Sequence, residues 1–381
     1  MAEPLDVLNP DHYAAVRQPP ETAAPLPNWC YTSQSWYQAE VERIFMKGWN
    51  YVGHASQLPD PGDYFTLDIT GAPIILVRGE DGQIRGFHNS CRHRGSRIAW
   101  GDGNCKTFTC PYHTWTYATD GRLVATPLIE EDEHLRHDDL PLLPVRTESW
   151  AGFLFVTFND DAGPLADWLG DLPANCAAYD PENLVCTRRV TWDVKANWKL
   201  HFENFNDSLH IPFVHGSTLN RQTVSKRARS SHEETTGQYI THFTSHEGSR
   251  GLMAGETSFP PIETLTDRYR TGTYYPCIYP TTMMAWTIDC MWIFELHPKG
   301  PEAMQVVGTS FFPRDRLDRN DFAEQADRYY YRMDAILPED NVAVENQQLG
   351  LHAPVTASSR FTHMETLSHA FDKWVLDQVL E

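Results

Sequence analysis

Two short stretches of the chain pair a thiol with an imidazole. In CRHRGSRIAWGDGNCKTFTCPYHTWTY, Cys91 and His93 form a C-x-H pair, and after sixteen further residues Cys110 and His113 form a C-x2-H pair. Zinc sites more often draw two cysteines from one C-x2-C turn. The mixed pairing suits a two-iron cluster in which two thiolates hold one iron and two neutral imidazoles the other, which removes negative charge and raises the reduction potential. Each loop then reaches both irons. Gly95 and Pro111 are predicted to provide the tight turns that bring backbone N–H groups to the cluster sulfides. Cys30, Cys105, Cys176, Cys186, Cys277 and Cys290 lack such a neighbour pattern and read as buried thiols.

A second constellation lies in NWKLHFENFNDSLHIPFVH, where Asp207 stands three residues before His210 and His210 five before His215. Helix positions three apart share a face, so Asp207 and His210 are predicted to point the same way. Pro212 should break or kink that helix and let His215 fold back toward the same point. Two histidines and a carboxylate form the facial triad that binds Fe(II) and leaves positions open for dioxygen and substrate. The carboxylate could be Asp207 itself or come from elsewhere in the chain.

The segments that must position these residues differ in texture. Between Phe45 and Phe158, runs such as YVGHA, DYFTLDI, PIILVRG, IRGFHN and GFLFVTF alternate with Gly, Pro and Asp, a pattern of hairpins and loops. Beyond Pro164, helix-like stretches (NWKLHFENFNDSLH, DFAEQADRYYYRMDAIL, ETLSHAFDKWVLDQVL) alternate with strand-like ones (QYITHFTS, TTMMAWTID, MWIFELHP, MQVVGTSFF), which reads as α+β with a largely antiparallel sheet. PETAAPLP near the start reads as a surface crossing, and Thr223–Gly237 as a mobile loop.

The stretch from Cys91 to Tyr117, with Trp115 two residues past His113, resembles the Rieske loops of ring-hydroxylating oxygenases, and E-N-x2-D-x2-H-x4-H from Glu203 to His215 resembles their mononuclear-iron motif. The resemblance implies an α+β chain with an all-β Rieske [2Fe-2S] domain over 45–160 and a helix-grip catalytic domain with an antiparallel sheet over 161–381, residues 1–44 packing on the latter. ILPEDNVAVENQQLG resembles the family segment that supplies the third iron ligand, which implies Asp340, with Glu339 as the alternative. Asp207 would then not bind iron but bridge His210 to His113 of the partner subunit in a head-to-tail homotrimer, and Asn204 would lie near the iron. Electrons would come from an NADH-dependent reductase, with or without a ferredoxin, since no G-x-G-x-x-G fingerprint follows a strand. A bare Rieske electron carrier would not need the second ligand set, and a zinc interaction module would not be coloured.

Of 381 residues, 31 are Lys or Arg and 51 Asp or Glu, a formal charge of -20 that disfavours nucleic acid and anionic membranes as partners. The acidic start lacks a basic-then-apolar secretory pattern, and no apolar run is long enough to span a bilayer, so a cytoplasmic protein is expected. Eight cysteines without such a signal point to metal ligation or burial rather than disulfides. TYYPCIYPTTMMAWTIDCMWIFEL is rich in Tyr, Trp and Met and could line a pocket for an aromatic substrate. It could equally take a quaternary ammonium compound, whose cation the ring faces attract and Asp289 could reinforce.

Overall fold

Short apolar runs such as IILV and FLFV, buried along their length, give the segment 46–165 its strands, and turns with a glycine, such as Asp81-Gly82 and Asp120-Gly121, end them. In the computed structural model, which describes residues 4, 6–130, 134–219, 233–353 and 359–381, this segment is one of two compact units; the other joins 1–45 to 166–381. Its ten strands are β1 (Asn50–His54), β2 (Asp63–Ile69), β3 (Ala72–Arg78), β4 (Ile84–His88), β5 (Asp102–Asn104), β6 (Thr107–Thr109), β7 (Thr116–Ala118), β8 (Leu123–Ala125), β9 (Pro144–Trp150) and β10 (Phe153–Thr157). A seven-stranded antiparallel sheet runs β1-β10-β9-β4-β3-β2-β5, and a small sheet runs β6-β7-β8. The β7–β8 turn needs Gly121, at φ +90°, because a Cβ there would come within 2.5 Å of the Phe87 ring. Ile75, Val77, Phe87, Phe108, Trp115 and Tyr117 form a core that encloses Cys91 and Cys110. Strand β9, PVRTESW, escaped the sequence reading because its polar residues hide the alternation.

The other unit is built on a six-stranded antiparallel sheet, β11-β16-β15-β14-β13-β12. Its strands are β11 (Leu184–Val194), β12 (Tyr239–Ser245), β13 (Gly272–Ile278), β14 (Thr282–Trp286), β15 (Met291–Gly300) and β16 (Ala303–Pro313). The C-terminal helix Thr366–Leu380 buries Phe371, Val375, Leu376 and Val379, spaced at three and four residues as a buried helical stripe requires. Phe371 stacks on Phe202 at 4.2 Å and Trp374 on Tyr279 at 4.2 Å, which ties this helix to the helix Trp198–Asn206 and to the end of β13.

Two expectations change. The helix after β16 does not stop before the Glu339–Asp340 pair but runs from Phe322 to Gly350 through Pro338, because Tyr329, Met333, Ile336, Asp340 and Val344 keep one continuous buried face that outweighs the hydrogen bond the proline removes. PETAAPLP is not a surface crossing: Ala23, Ala24 and Leu26 are buried, and the Leu26 N–H donates to Asp372 of the C-terminal helix at 3.1 Å. Of the segment expected to be mobile, 223–232 lies outside the described residues. Among those described, no helix is long and apolar enough to cross a membrane.

An ion pair with both side chains fully buried joins the N-terminal helix Gln34–Glu40 to the helix Trp198–Asn206. Lys199 Nζ lies 2.5 Å from Glu40 Oε1, and the indoles of Trp36 and Trp198 donate to the same carboxylate at 2.8 and 2.9 Å. Removing one partner strands the other charge, so Glu40→Ala should cost about 3–5 kcal/mol, read as a lower urea midpoint at unchanged slope.

Candidate metal centres

The two Cys/His loops close in the same way. Gly95 N–H donates to Cys91 C=O at 2.8 Å and Thr114 N–H to Cys110 C=O at 2.9 Å. The left-handed residue is Gly95 (φ +75°) in the first loop but Thr114 (φ +59°) in the second, so Pro111 is not the residue that takes the strained turn there. The loops bring both thiols into the core and leave both imidazoles half-buried. The rings of His93 and His113 are 4.6 Å apart, and His93 is stacked on Trp115 at 4.7 Å. His93 Nδ1 is enclosed without a hydrogen-bond partner, which is the state of a nitrogen whose lone pair is meant for a metal.

Sequence reasoning missed two neighbours of this group. Tyr117 accepts the Arg92 N–H at 3.0 Å, which leaves its hydroxyl hydrogen for Cys91 Sγ at 3.3 Å. Arg94 donates to His113 Nε2 at 3.0 Å and lies over the Tyr112 ring. Burial raises the Cys91 thiol despite Tyr117. Burial pushes Cys110 the same way, but the backbone N–H groups of Tyr112 and His113 bring it below its ordinary value. Two thiols and two imidazoles converging from two loops fit a [2Fe-2S] cluster with mixed ligands.

In the larger unit, ligand atoms of His210, His215 and Asp340 all lie within 4.8 Å of one another. The route to this cluster is not the kinked helix expected. The helix Trp198–Asn206 ends before Asp207, whose backbone is extended and whose carboxylate accepts the Leu209 N–H at 2.6 Å, a local turn that competes with helix. Pro212 then starts a new turn, Ile211–Val214, where a proline has no N–H to waste, and His210 and His215 flank that turn. Asp207 Oδ2 ends 3.5 Å from His210 Nδ1, a charge contact too poorly aligned for a hydrogen bond.

Asp340 points into the group: its Oδ1 is 3.0 Å from His215 Nε2 and 3.5 Å from His210 Nε2, and it accepts from Asn204 Nδ2 at 2.9 Å. Glu339, one residue earlier and rotated by about 100° around the helix, meets the other nitrogen of His215 at 2.7 Å and also accepts from Thr218 at 2.7 Å. A proton held on Nδ1 by Glu339 presents Nε2 as the ligating atom, the usual carboxylate–histidine arrangement behind a metal. Burial works to raise the Asp340 carboxyl, yet His215 and its neighbours hold it below the ordinary range. Two imidazoles and one carboxylate, ionised and converging, fit a ferrous ion with open positions.

The aromatic-rich stretch divides between the core and a separate cleft. Tyr274, Cys277, Met283, Met284 and Trp286 are core residues. Trp292 and Phe294, on one face of β15, line a narrow cleft of about 20 Å³ with Phe312, Tyr329, Arg332 and Met333. Asp289 does not line it: the residue is fully buried, accepts from Ser249 at 2.7 Å and Thr287 at 2.9 Å and is paired with Tyr329 at 2.5 Å, and burial raises its carboxyl against those bonds.

Residues 48–144 match the Rieske [2Fe-2S] domain family, and residues 181–381 the catalytic domain of the ring hydroxylating alpha subunit. The chain is similar to choline monooxygenase of Spinacia oleracea, 30% identical over 95% of this chain and 80% of that protein. It is also similar to the carnitine monooxygenase oxygenase subunit of Escherichia coli K12, 32% identical over 91% and 88%. Among solved structures, a quaternary ammonium Rieske monooxygenase shares the fold with a TM-score of 0.81 over 94% of this chain and 96% of the other, at 24% identity. Naphthalene 1,2-dioxygenase from Rhodococcus shares it at 0.78, over 93% and 94%, with 21% identity.

Three variants test these sites. Tyr117→Phe removes a donor from the Cys91 sulfur, and the cluster potential should fall by on the order of 50 mV in redox titration, the bands otherwise intact. Asp340→Ala should release the mononuclear iron while keeping the cluster's visible spectrum. Glu339→Gln should keep the iron but weaken its hold about 10–100-fold in chelator competition. Iron loss on the Glu339 change alone would exchange the two assignments.

Proposed function

We propose that this chain, which belongs to the Rieske-type ring-hydroxylating oxygenase family, holds its [2Fe-2S] cluster on Cys91, His93, Cys110 and His113 and its mononuclear iron on His210, His215 and Asp340. The chain is a terminal oxygenase, an oxidoreductase that takes electrons from a reductase partner and uses dioxygen on a small organic substrate. What carries the site assignment is the convergence of the three ligand side chains, drawn from two separate segments of one unit. When bound, the cluster relays single electrons and the ferrous ion provides the centre at which dioxygen is activated.

The protein's own part is to position and to hold protons. Glu339 fixes the His215 tautomer, and Asn204 holds the Asp340 carboxylate by donating to it. Asp207 fits a bridging role better than a ligand's: its contact is with Nδ1 of His210, away from the nitrogen that faces Asp340. Its carboxylate is partly exposed and lines a cavity of about 400 Å³ beside Glu203 and Asn204. That opening lets it reach His113 of the partner subunit in a head-to-tail homotrimer, the assembly we propose. A cytoplasmic location agrees with eight free cysteines.

For the substrate we favour a quaternary ammonium compound over an aromatic hydrocarbon. The relatives at 28–32% identity that cover more than nine-tenths of this chain are named for choline and carnitine. An aromatic face such as that of Phe294 suits a methylated cation. With a surrogate reductase, choline, carnitine or glycine betaine should each be compared with naphthalene and benzoate for substrate-dependent NADH and oxygen consumption. Tight coupling with a methylated ammonium compound and insertion of one oxygen atom are expected. Coupled dihydroxylation of the aromatic compounds alone would return the chain to aromatic catabolism.

A further inference from the structure

Within the cleft lies a cation that, among the described residues, has no hydrogen-bonded or ion-paired partner. Arg332 is 9% exposed, its Nε is enclosed without a partner, and among the described residues its guanidinium makes no hydrogen bond or ion pair. It rests on the face of Trp292, 4.8 Å from the ring centroid. Burial lowers it to about 10 and the nearby Arg250 adds repulsion, against which Tyr275, Cys290 and Asp340 favour the charge only in part. Asp289 is no counter-ion, because Ser249, Thr287 and Tyr329 occupy its oxygens. A buried, unpaired charge is costly, and a planar guanidinium offers the fork that a carboxylate fills with two parallel hydrogen bonds.

The position is equally specific. Trp292 and Phe294 alternate onto one face of β15, and the Phe294 ring meets Phe205, at 6.0 Å, on the helix that leads into Asp207 and His210. Arg332 precedes Asp340 by two turns of the same helix, about 12 Å along its axis. We propose that Arg332 binds a substrate carboxylate, so that the substrate is a zwitterion of the betaine type with its carboxylate at Arg332 and an N-methyl group toward His210, His215 and Asp340. This rests on the quaternary ammonium reading and narrows it: a choline-like alcohol would leave the guanidinium unpaired.

Calorimetric binding to the full, metal-loaded chain tests this with four ligands: glycine betaine, carnitine, choline, and 3,3-dimethylbutanoate, which keeps the carboxylate but has an uncharged head. Arg332→Met keeps packing on Trp292 without charge, Arg332→Lys keeps charge without the fork, and unchanged iron content and cluster spectrum certify each protein. The wild type should bind a betaine at least tenfold more tightly than choline. Arg332→Met should erase that preference without changing choline affinity, and Arg332→Lys should restore part of it. Equal binding of choline and the betaines in wild type and variant alike would overturn the carboxylate anchor and leave the quaternary ammonium reading standing. Arg332-dependent binding of 3,3-dimethylbutanoate, with no binding of any trimethylammonium compound, would keep the anchor and remove that reading.

Discussion

Asp340 is a carboxylate that must stay ionised inside a protein, and an uncompensated charge in that position costs several kcal/mol. Its compensation comes from three directions: the Asn204 amide at 2.9 Å, His215 at 3.0 Å and His210 at 3.5 Å. Each demand constrains an element. Asn204 must sit in the last turn of the helix Trp198–Asn206, the chain must turn at Asp207 to return two imidazoles, and the long helix must run unbroken through Pro338 to deliver Asp340. A divalent cation completes the same set of charges, so the geometry that tolerates the buried carboxylate is also the geometry that binds metal.

The cluster loops were legible in the sequence because their ligands are local, two residues apart in one loop and three in the other, with Gly95 marking a turn that needs positive φ. The convergence of His210 and His215, the histidines proposed to hold iron, was legible for the same reason. How the chain reaches them was not. A helix face and a proline kink account equally well for three- and five-residue spacing, and only the Asp207 side chain, by taking the Leu209 N–H, decides that the helix stops earlier. Glu339 and Asp340 are neighbours in sequence, and nothing short of the helix's orientation says which turns toward the histidines.

Burial explains the remaining differences. PETAAPLP carries the composition of a loop, yet Ala23, Ala24 and Leu26 are buried and the Leu26 N–H is tied to Asp372. Asp289 reads as a charge among aromatic residues, whereas three hydroxyl groups occupy its carboxylate. Arg332 gave no signal at all, since an arginine in a charged helix is usually solvated; its meaning comes from the absence of a partner around it among the described residues.

Two redox centres in separate units are useful only if electrons pass between them, and the role proposed for Asp207 is to carry that connection. Asp207→Asn keeps the shape and removes the charge on which the proposed bridge depends. Rapid mixing of the reduced variant with dioxygen and substrate addresses this directly. The expected result is full mononuclear iron and a reducible cluster that fails to reoxidise, with turnover almost abolished. Reoxidation at the wild-type rate, or loss of the mononuclear iron, would contradict it.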